Sequence, residues 1–326
     1  MKRGLKVVSL TGLIMAILGF SSLASATDYP TKVIELIVPV TAGGSMSMGS
    51  RIVAQGLSEI LGKPVIIINK PGAGTTIGAG YAAKAKPDGY TLFTFNSASN
   101  GVAPAIRSNI GYKNTDFELL GQFAAQDLAI ASKLDAPWKT TKDLAEYAKK
   151  NPGGLKCGTI GAGTSSHFVL ELFNSEAGKL KIDSVPFKGD AEMMHALLGG
   201  HIHLAATYSV AMKGLYDAGK IRIFGVCSGE RASDFPDVPT LKEQGFQKVI
   251  LQTWYGIAAP VGVPGEILNK LRMSFAKVVQ TPETMSMLKH IGFSPVYRDS
   301  ENFTKFVRDT EEMYFRVAKE AGIKVD

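Results

Sequence analysis

The sequence predicts an α/β protein of two doubly wound lobes folded around a ligand cleft. Short apolar strand-like runs alternate with amphipathic helical runs over the first third, and the alternation restarts after residue 127. Three loops rich in glycine and hydroxyl residues each carry the chain from a strand into a helix. Such alternation implies parallel strands joined by right-handed crossovers. Loops that follow the strands then gather at the carboxyl edge of a sheet, where open α/β sheets bind ligands.

Residues 33–38, 65–69 and 91–95 read as buried strands, each short, β-branched or aromatic and bounded by turn residues. A helix over 47–61 aligns Met48, Ile52, Leu57, Ile60 and Leu61, and Gly62 with Pro64 ends it. A second helix begins near Thr76. In the second unit, Thr140 and Asp143 have the spacing of a capping box for a helix through Lys150. Strands over 155–160, 182–187, 202–206 and 222–227 follow, separated by helices that end near Ala177, cover 193–198 and start at Ala211. An extended apolar run over 249–259 meets the proline-rich turn 260–264, and three helices close the chain. The last starts at Ser300, sets Phe303, Phe306, Val307, Tyr314 and Val317 at helical spacing as core residues, and stops at Gly322. The expected division is a signal peptide over 1–26, one lobe from 27–126 plus 256–326, and a second lobe from 127–255. Two lobes with a late crossover imply a hinge.

The three loops are Thr41-Ala42-Gly43-Gly44-Ser45-Met46-Ser47, Pro71-Gly72-Ala73-Gly74-Thr75-Thr76 and Gly161-Ala162-Gly163-Thr164-Ser165-Ser166-His167. A helix start leaves several N–H groups without partners and carries a partial positive charge. Glycine lets an anion approach that backbone, and serine or threonine adds hydroxyl donors. Three such ends point to an anion site built largely from neutral donors.

The first 26 residues form an address. Lys2, Arg3 and Lys6 precede an apolar run over 7–20, and Ala24-Ser25-Ala26 supplies a small-residue cleavage pattern. The run is shorter than the ~20 residues that a membrane-spanning helix needs. No cysteine stands at the cleavage site, which argues against a lipid anchor. The chain's formal charge of +7 falls to +4 without the leader's three cations, a mild balance that suits an anionic ligand. No basic run interleaved with aromatics is present, so nucleic-acid binding is not expected. Cys157 and Cys227 lie in apolar segments and read as two buried inert thiols, with a disulfide, which export permits, as the alternative.

Enzymatic chemistry finds no constellation. Neither Gly72-x-Gly74 nor Gly161-x-Gly163 completes a dinucleotide fingerprint, because Ile77 and Ser166 stand where the third glycine belongs. His201 and His203 would share a strand face, with His195 and His167 elsewhere, but no further ligand at a familiar spacing completes a metal set. Ser165, Ser166 and His167 are adjacent at a helix start and lack a G-x-S-x-G elbow, so they do not read as nucleophile and base. No metal, cofactor or catalytic role is expected.

The chain resembles the periplasmic solute receptors of tripartite tricarboxylate transporters, often called the Bug family. The resemblance runs through Tyr29-Pro30, Pro39 to Gly44, Asn69-Lys70-Pro71-Gly72-Ala73-Gly74, Pro87-Asp88-Gly89-Tyr90-Thr91-Leu92 and the Gly161 to His167 loop. It continues in Val185-Pro186-Phe187-Lys188-Gly189, Leu197-Leu198-Gly199-Gly200, Pro236-Asp237-Val238-Pro239-Thr240, Trp254-Tyr255-Gly256 and Ala259 to Pro264. It implies a Venus flytrap fold, like the type II periplasmic binding proteins, that closes on a small carboxylate. It also implies a monomer in the periplasm that hands its ligand to one large and one small membrane subunit. The family mostly holds the carboxylate without an arginine clamp, and the three loops contain no arginine. The expected ligand contacts are Gly43, Gly44, Ser45, Ser47, Thr75, Thr76 and Ser97 from one lobe. Gly163, Thr164, Ser165, Ser166 and His167 are expected from the other, with Thr207 and Tyr208 shaping specificity and Lys188 as the nearest fixed charge. His167 could instead cap its helix. Ser47 stands where the family commonly has an aspartate, and Ala206-Thr207-Tyr208-Ser209 matches a stretch where a second is frequent. Less negative charge favours a ligand with two or more carboxylates, or an aromatic carboxylate near Tyr208, over an amino acid. A sensor-kinase receptor and an α/β hydrolase or lyase remain as alternatives.

Overall fold

A computed structural model describes residues 28–324; the expected signal peptide lies outside them. The first unit contains β1 (Ile34–Val38), α1 (Ser45–Leu61), β2 (Val65–Asn69), α2 (Thr76–Ala83) and β3 (Thr91–Asn96). A π-turn over Ala98–Val102 runs into the short helix α3 (Ala103–Ile106), and β4 (Phe117–Lys133) follows. Next come α4 (Thr141–Lys150), β5 (Leu155–Thr159), α5 (Ser165–Glu176), β6 (Ile182–Pro186), α6 (Asp190–Leu198), β7 (Leu204–Tyr208), α7 (Ser209–Asp217) and β8 (Ile221–Val226). The chain closes with β9 (Gln252–Pro260), α8 (Gly265–Val279), α9 (Pro282–His290), β10 (Ser294–Asp299) and α10 (Ser300–Ala321).

The sheet divides where β4 changes partners. Its first part, Phe117 to Asp127, pairs antiparallel with β9, and β10 pairs antiparallel along Gly121 to Ala125. Beyond β9 lie β3, β1 and β2, with β1 parallel to both neighbours. From Leu128 to Lys133 the same strand pairs with β7 and β8, and β5 and β6 extend that side in parallel. One strand thus serves two sheets.

The expected first unit is present, with α1 beginning two residues earlier than its apolar stripe. Gly62 takes a left-handed conformation at its C-cap, which is why that helix stops there. Thr140 accepts the Asp143 N–H and Asp143 accepts the Thr140 N–H, so the capping box forms. β7 begins at Leu204, not at residue 202. His201 and His203 are therefore exposed turn residues, and His203 Nδ1 accepts the Lys156 N–H at 3.0 Å. Among the described residues no His, Cys, Asp and Glu cluster could hold a metal. Cys157 and Cys227 are buried free thiols whose pKa values burial pushes up. Helix α10 ties the cores together: Phe303 and Val307 pack with Phe95 and Trp254, while Tyr314, Val317 and Ala318 pack with Phe168 and Phe173.

Close packing at the β4–β9 junction uses glycine. A Cβ on Gly256 would press into the Phe303 ring and the Gly121 carbonyl. Gly256→Ala is therefore expected to lower stability by about 1–3 kcal/mol through overpacking, read from the urea midpoint at unchanged m-value.

Candidate functional site

A cavity of about 240 Å³ lies between the two sheets, smaller than the ~300–1,000 Å³ typical of drug-sized sites. It brings together the second loop, the end of β3, the helical stretch 97–107, the third loop and the facing ends of β7 and β9. Apolar side chains such as Val102, Ile106 and Ile160 cover much of the wall, and the polar groups sit in a few places.

The first loop reaches this cavity only through Met46. Gly43 (φ +91°) and Gly44 are exposed, and Ser45 is half-buried. Ser47 is buried behind them, its Oγ accepting from Asn69 Nδ2 at 3.4 Å. No side chain caps α1 and no acid stands in its first turn, so its positive end is left open beside the cleft.

The second loop is the most contorted backbone in the chain. Gly72, Ala73, Gly74 and Thr75 have φ of 129°, 46°, 63° and 77° in succession. A β-branched residue at such a φ is strained by about 1–3 kcal/mol, and such strain clusters at ligand clamps. Gly74 and Thr75 line the cavity; Thr76 instead donates its hydroxyl to the Ala73 carbonyl at 2.9 Å. Helix α2 also lacks both a side-chain cap and an acid in its first turn.

At the end of β3, Asn96 Oδ1 accepts the Ala98 and Ser99 N–H groups at 3.1 and 3.2 Å. That contact turns the chain into its π-turn and places Ser97 on the cavity wall. Ser97 is fully buried and its Oγ has no hydrogen-bond partner. Tyr314 Oη, beside both Ser97 and Ser165, is likewise buried and unpartnered.

The third loop offers Gly163, Thr164 and Ser165 to the cavity. Its other two expected contacts work behind it. Ser166 Oγ accepts the Ile160 N–H at 3.1 Å and donates to the Ala206 carbonyl, bolting the loop to β7. His167 Nδ1 accepts the Gly163 N–H at 3.1 Å, so one loop donor is already consumed. Thr207 is fully buried and donates to the Asp190 carboxylate, whereas Tyr208 reaches the cavity and Thr253 Oγ1 donates to its hydroxyl at 3.4 Å.

Four polar lining residues were not among the expected contacts: Asn96, Arg107, Thr253 and Tyr255. The charged side chain on the wall is Arg107, while Lys188 is exposed elsewhere. Tyr255 stands in the Trp254-Tyr255-Gly256 motif without an assigned role, and no motif marks the other three; the helical stretch that carries Arg107 has no apolar period long enough to read.

Two sheets sharing crossing strands, with a small cavity where their loops converge, define the Venus flytrap fold of solute receptors. Similarity to known proteins agrees. Residues 50–323 match the tripartite tricarboxylate transporter family receptor. A UPF0065 protein from the gbd 5′ region of Cupriavidus necator is 32% identical over 305 residues, covering 92% of this chain and 90% of the relative. A TctC solute-binding protein from Polaromonas, solved without ligand, superposes with TM-score 0.80 at 29% identity, covering 90% of this chain and 99% of that one. An R. palustris protein solved with adipate gives TM-score 0.75 at 30% identity, covering 91% and 99%. The chain belongs to the tripartite tricarboxylate transporter receptor family.

Burial lowers the His167 pKa and raises that of Glu171, whose Oε1 is 3.7 Å from His167 Nε2. Desolvation outweighs the pairing, so the imidazole stays neutral and Nδ1 stays an acceptor. With its folded pKa below the ordinary value of about 6.5, His167 adds stability that is complete above that value and is lost as pH falls through the folded pKa. Glu171 has the opposite sign, since ionising it in place is unfavourable. An NMR titration of His167 resolves the two and should place its midpoint below the ordinary histidine value of about 6.5.

Proposed function

We propose that the protein is a periplasmic receptor, active as a monomer, that captures an organic carboxylate and delivers it to the large and small membrane subunits of a tripartite tricarboxylate transporter. The ligand is a di- or tricarboxylate or an aromatic carboxylate, and the protein performs no chemistry on it. One observation carries this reading: Ser97, Thr164 and Ser165 line the same cavity, and the buried Ser97 and Tyr314 hydroxyls, which lie beside each other, complete no hydrogen bond of good geometry. A buried hydroxyl without a partner costs about 1–3 kcal/mol, so the free protein holds open a hydrogen bond that a ligand oxygen completes. The adipate bound to the R. palustris relative supports a carboxylate in that role.

Residues 27–126 with 256–326 form one lobe and 127–255 the other, hinged where β4 and the start of β9 cross. Thr75 and Ser97 meet the ligand from the first lobe, with Gly163, Thr164 and Ser165 from the second. Gly43, Gly44 and Ser45 join as the lobes close. Ser47, Thr76, Ser166, His167 and Thr207 hold the loops in shape, and Tyr208 sets the width of the site. Apolar walls lower the local dielectric and strengthen each of these hydrogen bonds.

A thermal-shift screen over succinate, adipate, citrate, benzoate and terephthalate tests the reading. A ligand at 100 times its Kd stabilises the folded state by about 2.7 kcal/mol, and no shift with any carboxylate would refute it. Ser97→Ala separates binding from folding. It should weaken affinity by about 0.5–1.5 kcal/mol yet leave the unliganded melting temperature level or slightly higher. Ser165→Ala should weaken affinity by a similar amount, with calorimetry as the readout. Delivery is tested by uptake into proteoliposomes carrying the two membrane subunits, which should require the receptor.

A further inference from the structure

Arg107 is the one charged side chain on the cavity wall; it also borders a second cavity that contains Asp116 and Glu311, but neither acid is within ion-pair distance of it. Four arginines in the described residues are half-buried. Three are engaged: Arg222 with the Trp138 carbonyl, Arg272 with Glu118 and the Leu119 carbonyl, and Arg298 with Gln122. Arg107 has neither an ion pair nor a hydrogen bond to its guanidinium among those residues.

Its neighbours sharpen the question. The guanidinium lies over the second loop, where a Cβ placed on Gly74 would be 3.9 Å from Nη2. That loop opens α2, an eight-residue helix whose N-terminus has no cap and no acid. Two positive groups therefore converge with nothing negative between them, an arrangement that an anion relieves. Ser97, Val102, Ala103, Ile106 and Arg107 recur at helical spacing along one wall. The π-turn and α3 carry the chain from Ser97 to Arg107. The unpartnered hydroxyl and the unpartnered guanidinium thus stand toward opposite ends of a wall that is apolar between them.

We infer that Arg107 is the specificity-determining residue of this cleft and pairs with the second carboxylate of a dianion whose two acids are separated by an apolar spacer. The inference rests on the carboxylate reading above and adds to it the charge and shape of the far end. The first carboxylate sits among Ser97, Thr164 and Ser165, the methylenes or ring lie against Val102 and Ile106, and the second carboxylate bridges Arg107 and the second loop. A monoacid fills the first two places and leaves the third empty. Hydroxylated acids such as citrate bring polar groups against the apolar spacer region and are disfavoured.

Isothermal titration of two matched pairs, adipate with hexanoate and terephthalate with p-toluate, tests this. For whichever pair the cavity accepts, the wild-type protein should bind the diacid at least tenfold more tightly, and added salt should narrow the ratio. Arg107→Gln should reduce that ratio below threefold while leaving monoacid affinity within twofold and the unliganded melting temperature unchanged. Arg107→Lys, which keeps charge without the bidentate fork, should retain part of the ratio. A wild-type ratio below threefold, or one that survives in Arg107→Gln, overturns the assignment and leaves the carboxylate reading standing. Absence of binding by both members of both pairs overturns the assignment; if the wider carboxylate screen also shows no shift, the carboxylate reading falls with it. If Arg107→Gln fails to fold, the Arg107→Lys ratio and the wild-type salt dependence decide: no change in either overturns the assignment.

Discussion

The handover within β4 at Asp127 and Leu128 is the constraint on which the rest depends. Because one strand is hydrogen-bonded into both sheets, the two sheets meet at a fixed place, and the helix starts that follow β1, β2 and β5 open toward a common gap. Asp127 pins that place. Its carboxylate accepts from Gln252 Nε2 at the start of β9 and from Ser294 Oγ at the start of β10, the latter at 3.0 Å. Burial raises its pKa, and these two hydrogen bonds oppose the rise. Three strands thus meet at one buried acid.

The elements legible in the sequence were those with a clear period and chemical punctuation. The β2 bounds, the Thr76 start, the Ser300 start and the Gly322 stop were all readable because β-branched runs, caps and glycine mark them locally. The stretch from Ser97 to Lys133 was not. Phe117–Lys133 is buried on both faces for nearly its whole length, so it has no polar alternation, and its leucines, alanines and glutamines favour helix as readily as strand. Gly121 breaks the run and bulges follow it, which hides the period further. Before it, the π-turn owes its shape to Asn96 and to packing of Tyr314 against Gly101, contacts that no local pattern announces.

The site was legible as three loops and illegible as a division of labour among their residues. Sequence marks a serine as a donor without saying what it donates to. Ser166, Thr207 and His167 each spend their polar atoms on the scaffold, while Ser97 spends its hydroxyl on nothing. Depth does not separate them, because Ser97, Ser166 and Thr207 are all fully buried; the difference is whether a scaffold partner lies within reach. Arg107 was missed for a related reason. It is ten residues from the nearest recognised feature and reaches the cavity only because the π-turn and α3 carry it there.

Closure of a two-lobed receptor needs a ligand that binds the closed form better than the open one, and only groups drawn from both lobes supply that difference. Ser97 and Ser165 come from opposite sides of the β4 handover and meet at Tyr314, whose own hydroxyl is buried and unpartnered. Net hydrogen bonds of about 0.5–1.5 kcal/mol each, summed over a few donors, hold an acid firmly enough to close the lobes and weakly enough to release it. A fully enclosed ion pair would bind at the expense of release. Arg107 is half-buried beside the second loop, so solvent would moderate the grip of the ion pair inferred for it.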